Sequence, residues 1–321
     1  MTHQAGAIPL KVSDSDGIHR AWLNPGIIGW VLLLMVALPC LLTLPWSMQY
    51  YDVQRIGGNQ SLEFQPPGLQ PFEPFGTDAL GRSLLWRCLL GGAISLGIGL
   101  AAAGISVIIG VTFGLIAGYV GGRFDAIMMR LVDVLYGLPY ILLVVLLNLT
   151  LRPVMEWLLA SMFTGNTAKG LAEVVTLLLA IGGLSWLTMA RVIRGQVLSL
   201  RSQPFMEAAR AAGLPMIRVM VRHLLPNLIG PIVVYATLTV PTAILQESFL
   251  SFLGIGVQAP LPSWGNLASE GIPQLHSLGS GVGRLHWWLL GFPCLLLALT
   301  LLALNLLGES LRQRLDPRLK T

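Results

Sequence analysis

Acidic side chains within apolar stretches are the first residues in this sequence that could carry chemistry. Asp133 and Glu247 both fall inside long apolar runs, but they are far apart in the chain. Asp133 lies near one end of its run, and Glu247 lies towards the opposite side of the predicted membrane. Ionisable groups inside a membrane are costly and usually functional, yet catalysis would require a second reactive group nearby. We therefore interpret both as structural or path-lining residues, and we expect no catalytic residue.

Histidine and cysteine side chains are the natural donors for a transition metal. The five histidines do not cluster, although His276 and His286 are only ten positions apart. A metal site between these two residues is weakly supported. The three cysteines (Cys40, Cys88 and Cys294) lie in or beside apolar runs and suggest no disulfide framework. We expect neither a resident metal nor a cofactor.

A nucleotide-binding loop would require the pattern GxxxxGK[ST], whose glycines and lysine hold the phosphates. The chain has three lysines, Lys11, Lys169 and Lys320, and only Lys320 precedes a Ser or Thr, at the end of the chain and without the glycines. If an ATP-driven process involves this chain, another chain must supply the energy.

The elements that would position these residues are long apolar helices. Of the 321 residues, 54% are hydrophobic and 11% are charged. A helix needs about 20 apolar residues to cross about 30 Å of hydrocarbon. The sequence predicts an all-α polytopic membrane protein with six transmembrane helices, near Gly26–Trp46, Leu89–Tyr119, Leu131–Leu151, Ala172–Leu198, Pro226–Phe252 and His286–Leu307.

The basic residues predict the orientation of these helices, because Lys and Arg accumulate on the cytoplasmic side. With six spans, fourteen of the twenty fall on the side of the two termini and six on the other. This asymmetry accounts for the net charge of +5 better than nucleic-acid binding does. We expect cytoplasmic tails at 1–25 and 311–321, a first span with its outer loop at 26–88, and a five-helix core at 89–310.

Small residues recur every four positions in the second apolar block. This spacing places them on one face of a helix, where they would let another helix approach closely. The series is Ala102, Ser106, Gly110, Gly114 and Gly118.

A basic, alanine-rich segment from Gln203 to Asn227 interrupts the apolar blocks. Pro204 suits the first turn of a helix and Gly213 the left-handed residue after its end, which predicts a helix of about nine residues. Glu207 complements the helix dipole at its start. One shallow apolar face is expected, formed by Phe205, Ala208, Ala209 and Ala212. A lipid-lying helix is the alternative, but alanine gains little from lipid, which favours docking to a protein.

A second amphipathic turn is expected directly after this helix. Its apolar residues would share one face, while Arg218, Arg222 and His223 point elsewhere. The shared face is Met216, Ile217, Met220, Val221 and Leu224.

The segment resembles the EAA loop in permease subunits of bacterial ABC importers, whose pattern is Glu-Ala-Ala, three residues, Gly, nine residues, Ile-x-Leu-Pro. Here Glu207, Ala208, Ala209, Gly213, Leu225 and Pro226 match, and His223 occupies the Ile position. Two further segments, "FGTDALGRS" (75–83) and "QESFLSFLGIGVQAPLPSWGNL" (246–267), resemble signatures of the dipeptide, oligopeptide and nickel permeases. The sequence as a whole is most similar to the C-type subunit of oligopeptide permeases.

This resemblance implies a type I ABC importer permease fold in the bacterial inner membrane. It also implies an EAA loop at about 199–226 that docks on a cytoplasmic ATPase. Two ATPase subunits, a second homologous permease and an external peptide-binding protein would be the partners. The docking residues would be Phe205, Glu207, Ala208, Ala209, Ala212, Gly213, Leu225 and Pro226.

The substrate path is less well defined by the sequence. Glu247 and Trp264 are candidates, Trp264 because we expect it to lie in an exposed loop. A peptide path requires polar groups and a roomy cavity more than fixed ligands. Dipeptide, nickel or glutathione-type transport remains the alternative within the family. A stand-alone membrane enzyme or channel is the alternative outside it.

Overall fold

The computed structural model describes residues 25–56, 62–68, 73–163, 166–275 and 286–315. Most of both expected tails lies outside the described residues, as do His3, His19 and His276. Within these ranges the regular secondary structure is helical, and the β-structure is confined to two isolated bridges, Gly68–Glu73 and Thr77–Ser83.

The helices confirm the predicted all-α membrane architecture. They are α1 (Pro25–Leu42), α2 (Leu44–Tyr50), α3 (Leu84–Val120), α4 (Gly122–Tyr136), α5 (Tyr140–Ala160), α6 (Asn166–Arg201), α7 (Pro204–Ala211), α8 (Met216–Val219), α9 (Leu225–Phe252), α10 (Trp264–Leu275) and α11 (Trp288–Leu315). A π-helical turn, Met220–Leu224, joins α8 to α9. Among the described residues six helical stretches are long and apolar enough to span a membrane: α1, α3, α5, α6, the run from α8 to α9, and α11.

The third span differs from the prediction, which placed it at Leu131–Leu151. The apolar run is divided into α4 and α5 by Gly137, Leu138 and Pro139. Pro139 has no N–H and disfavours helical geometry at Leu138, so one helix ends and another starts here. As a result, α4 is a separate amphipathic helix.

The stripe of small residues on α3 packs against α6, as the sequence predicts. A Cβ atom added at Gly110 would lie 2.6 Å from Cβ of Met189, and one at Gly114 would lie 2.6 Å from the carbonyl oxygen of Ala190. The two long helices can approach this closely only because these side chains are absent. This pair forms the centre of the bundle, with α5 and α9 packed on it and α1 paired with α11 on one flank.

The start of α3 is fixed by the "GTDALGRS" segment through a buried ionic cluster. One oxygen of Asp78 accepts hydrogen bonds from the backbone N–H groups of Leu80 and Arg82, and the other from the side chains of Arg82 (2.7 Å) and Arg87 (2.8 Å). Arg87 is only 1% exposed and also donates to both carboxylate oxygens of Glu270 in α10. The motif thus joins the loop, α3 and α10.

Candidate docking surface and polar cavity

Helix α7 begins and ends where the sequence predicts. Pro204 occupies the first turn, and Gly213 has a φ of +66° just beyond the last turn. The N–H of Gly213 donates to the carbonyl of Arg210 (2.9 Å), and the N–H of Leu214 donates to that of Ala209 (3.2 Å). This pair of bonds is the Schellman motif, which satisfies the carbonyl groups left free at a helix end.

The expected apolar face of α7 is divided between two environments. Ala209 is 5% exposed and belongs to a buried cluster with Met206, Val197 and Leu224. Ala209 therefore does not share an exposed face with the other three residues, because its side chain packs against the chain's own core, and its part in docking stays a prediction. The other candidates on this helix and at its end are exposed: Phe205, Glu207, Ala208, Ala212 and Gly213.

Met206 was missed by the sequence reasoning, although it anchors the helix. Its side chain is fully buried in the same cluster. The spacing of Met206 and Ala209, three positions apart, was the available signal for this inward face. Met206 is the larger of the two apolar residues and gains more from burial than Ala209. Its position therefore indicates which face of α7 packs against the core.

The segment after α7 also differs from the prediction. Val219 and Leu224 are buried, whereas Ile217 is 76% exposed and Val221 is 59% exposed. In the π-turn the N–H of Leu225 bonds to the carbonyl of Met220, five residues back, which shifts the helical register of the residues that follow Met220. It does not account for the exposure of Ile217, which precedes the turn. Pro226 follows it and can neither donate to nor fit closely against the carbonyl four residues earlier.

Together, these elements form a mixed apolar and charged surface, which we call the docking surface. It consists of Phe205, Glu207, Ala208, Ala212, Ile217 and Val221. Arg210, Arg218 and Arg222 are exposed beside it. Of the two remaining candidates, Leu225 is half-buried and Pro226 is exposed. An exposed aromatic residue and two aliphatic residues rimmed by arginines have the composition of a protein-binding patch.

Glu247 is buried and its carboxylate is fully engaged. It accepts hydrogen bonds from the hydroxyl groups of Ser95 (2.7 Å), Ser251 (2.8 Å) and Ser248 (3.3 Å). Ser95 lies on α3, so the carboxylate joins α3 to α9. This polar network agrees with the structural role that the sequence suggested for Glu247, and its place on a substrate path stays a prediction.

Trp264 is also buried, so its expected position in an exposed loop is wrong. Its indole N–H donates to the carbonyl of Cys88 (3.0 Å), and its ring contacts the chain at Gly92. Trp264 and Gly265 of the "PSWG" segment begin α10, and Pro262 and Ser263 directly precede it. Gly265 directly after it lies against the carbonyl of Ser248, where a Cβ would clash.

Asp133 lies on α4 rather than inside a span. Its carboxylate accepts a hydrogen bond from Arg191 of α6 (2.8 Å), and Arg191 also stacks over the ring of Tyr136, 4.4 Å from its centre. Asp125, one turn into α4, accepts two bonds from Arg194 (2.6 and 2.7 Å). These two arginines tie α4 to the end of α6 that leads to α7.

A cavity of about 490 Å³ opens between α4, α5, α6 and α9. One wall is apolar, with Leu135, Leu143 and Leu184 among its residues. The polar residues come from four helices and were not identified from the sequence: Tyr136, Tyr140, Ser185, Thr188, Tyr235, Thr239, Thr242 and Gln246. Their signal was a hydroxyl or amide every three or four residues along α9, on a helix otherwise rich in aliphatic residues.

The cavity is preorganised at the Tyr140 end. The hydroxyl of Tyr140 donates to the side-chain oxygen of Gln246 (2.6 Å), which joins α5 to α9 across the opening. Gln246 is the residue immediately before Glu247, and consecutive residues on a helix point about 100° apart. Gln246 therefore lines the cavity, whereas Glu247 does not.

Comparison with known proteins matches residues 110–321 to a family described as the binding-protein-dependent transport system inner membrane component. The chain belongs to this family. As a family member it is an integral inner-membrane component of a transport system and not an enzyme. Its six apolar helices agree with a multi-pass position in that membrane.

Similar curated proteins are peptide permeases. The chain is 45% identical to the dipeptide transport system permease protein DppC of Bacillus subtilis over 77% of this chain and 69% of that protein. It is 38% identical to the oligopeptide permease protein OppC of Haemophilus influenzae and 43% identical to that of Salmonella typhimurium, each over 94% of this chain and 88% of the relative.

The fold also has a solved counterpart. The chain is similar to an inward-facing structure of the MetNI methionine ABC transporter, with a TM-score of 0.52 and 15% identity over 73% of this chain and 98% of that one. At this identity the likeness shows a shared permease fold, and it carries no information on substrate.

Proposed function

We propose that this chain is the C-type permease subunit of an ATP-driven importer for oligopeptides. It contributes half of a membrane channel, whose other half is a second, homologous permease. Two ATPase subunits dock on the cytoplasmic side, and an external binding protein delivers peptides to the outer loops. The observation that carries this proposal is the docking surface: a partly exposed helix with a defined cap that follows α6, the helix that also lines the polar cavity.

The composition of the cavity supports a peptide substrate. Hydroxyl and amide groups can exchange hydrogen bonds with a peptide backbone whatever its side chains are. The described lining contains no His, Cys or Met, the donors that a path for nickel would favour. The names of the similar permeases also refer to peptides, both dipeptides and oligopeptides. Oligopeptide import is our choice between them because of the resemblance to the C-type subunit.

The orientation that we propose places both termini and the docking surface in the cytoplasm. This rests on the excess of Lys and Arg on that side of the bundle. It is supported by the position of α7, which follows the same end of α6 that carries Arg191, Arg194 and Arg201.

Site-directed cross-linking in intact membranes tests the docking surface. A cysteine at the exposed Ala208 should cross-link to an ATPase subunit. The matched control is a cysteine at Ala209, one position along but buried in the chain's own core, which should react far less. If Ala208→Cys never reaches an ATPase, while a cysteine at another exposed position of the same loop does, α7 is not the docking element.

A further inference from the structure

A second groove is lined by none of the residues that line the polar cavity. It encloses about 270 Å³ between α1, α3, α9 and α11. Most of its walls are apolar, from residues such as Trp30, Leu33, Leu100 and Leu304. The only charged residue among its lining residues is Arg314, near the end of α11.

The groove has one polar end and one apolar end. Gly26 starts α1, and Ser310 and Arg314 lie in the last two turns of α11, so these three mark the same end. Trp30 and Leu33 lie one and two turns deeper along α1. The polarity therefore changes along the groove as it does along a phospholipid, from the headgroup to the hydrocarbon.

The length of the groove matches one leaflet of a bilayer. Leu304 and Arg314 are ten residues apart on α11, or about 15 Å, which is half the thickness of a hydrocarbon core of about 30 Å. An acyl chain that extends from a headgroup beside Arg314 would therefore run along the apolar part of the groove.

The charge at the open end selects the headgroup. Arg314 is exposed and has no ion pair with any residue that the structure describes. The nearest acidic residue on α11, Glu309, instead accepts a hydrogen bond from Gln313 (3.1 Å). Arginine binds phosphate through a planar fork of N–H donors. An arginine at the headgroup level that has no ion pair among the described residues thus favours an anionic lipid over a zwitterionic one.

We propose that this groove binds one acyl chain of an anionic phospholipid, with the lipid phosphate on Arg314. The site is independent of the proposed transport substrate, because it shares no residue with the polar cavity. It lies in the leaflet on the side of the two chain termini. A lipid there fills the space between α1 and the core helices α3 and α9, and so attaches α1 to the core.

Native mass spectrometry of the purified permease tests the headgroup contact. The protein is incubated with phosphatidylglycerol or phosphatidylcholine carrying the same acyl chains. Arg314→Gln should lower retention of phosphatidylglycerol about fivefold, since one arginine near the membrane surface contributes about 1 kcal/mol. The matched control is Arg312→Gln, which removes an equally exposed arginine from the same turn outside the groove and should have no effect.

A second pair of variants tests the acyl-chain contact. Leu100 is 60% exposed, so Leu100→Trp can fill the groove without disturbing the core, and it should lower retention of both lipids. Ile108→Trp, at a 70% exposed position of the same helix outside the groove, should not.

Three results would overturn the proposal. They are equal retention of the two lipids by the unmodified protein, equal loss in the two arginine variants, or equal loss in the two tryptophan variants.

Discussion

At the residue scale, Gly213 fixes the end of the docking helix through its backbone conformation alone. Its φ is +66°, and a Cβ atom built on it would have no neighbour within 4 Å. Crowding therefore does not explain why glycine is suited to this position. The left-handed conformation does, since it costs most other residues about 1–2 kcal/mol and β-branched residues more.

Gly213→Val should uncouple ATP hydrolysis from transport, because the strained residue disrupts the Schellman motif and lets α7 change its direction. Gly213→Asn is the matched control, since asparagine tolerates the left-handed conformation. The measurement is the ratio of peptide transported to ATP hydrolysed in proteoliposomes. Normal coupling in the valine variant, with the complex still assembled, would contradict the geometry proposed for docking.

The buried ionic cluster is a second feature at this scale. Asp78→Asn should destabilise the protein by about 3–5 kcal/mol, because it removes one of the two carboxylates that balance nearly inaccessible Arg87. Thermal unfolding in detergent measures the loss. Asp52→Asn is the control, since Asp52 is more exposed and makes only one ion pair of 3.2 Å with Arg82. An equal effect of the two substitutions would show that burial does not decide the cost.

Individual side chains were the least predictable part of the protein. The cap at Gly213 followed from local rules, since only backbone conformation matters there. Trp264 was expected in an exposed loop and Ala209 on the same face as Ala208, but both are buried, because the orientation of a helix depends on what packs against it. Composition indicated that these segments carry function, but not which face each helix buries.

At the element scale, the α3–α6 pair depends on the absence of side chains. Gly110 and Gly114 contact α6, whereas Gly104 on the same helix faces open space. The regular four-residue spacing made this contact readable from the sequence. Pro139 also indicated the split of the third span into α4 and α5, but the apolar run continues on both sides of it and was interpreted as one span.

Gly110→Ala should destabilise the helix pair by about 1–3 kcal/mol, because its methyl group would lie 2.6 Å from Met189 and force the helices apart. Gly104→Ala in the same helix should be neutral or stabilise by up to about 1 kcal/mol, since alanine is the better helix former. Thermal unfolding of both variants under the same conditions gives the comparison. A loss of similar size in Gly104→Ala would argue against the tight contact.

At the scale of the whole molecule, one helix, α6, connects the polar cavity to the docking surface. Ser185 and Thr188 of α6 line the cavity, and α6 ends at Arg201, three residues before α7. The sequence predicted the short helix α7 and the number of spans that the described residues show. It missed the cavity because its wall is assembled from several helices, and their juxtaposition is a property of the tertiary structure.

Thr239→Trp should reduce peptide uptake at least tenfold by filling the cavity with a large aromatic ring, while the complex still assembles. Leu245→Trp is the control, because Leu245 is 52% exposed on the same helix and lies outside the cavity lining. Uptake of labelled peptide into proteoliposomes measures both. If the two variants transport equally, the cavity is not on the substrate path.

The continuity of α6 has a mechanical consequence. From Thr188 to Arg201 the helix runs for about 20 Å without a proline or a break. A tilt of about 10° imposed at its α7 end would displace that end by about 3–4 Å relative to the cavity wall. Because α3 packs closely against α6 at its glycines, we expect the two helices to move together as a rigid pair. Widening of the polar cavity would then require movement of α4, α5 and α9, the helices that contain or border a proline.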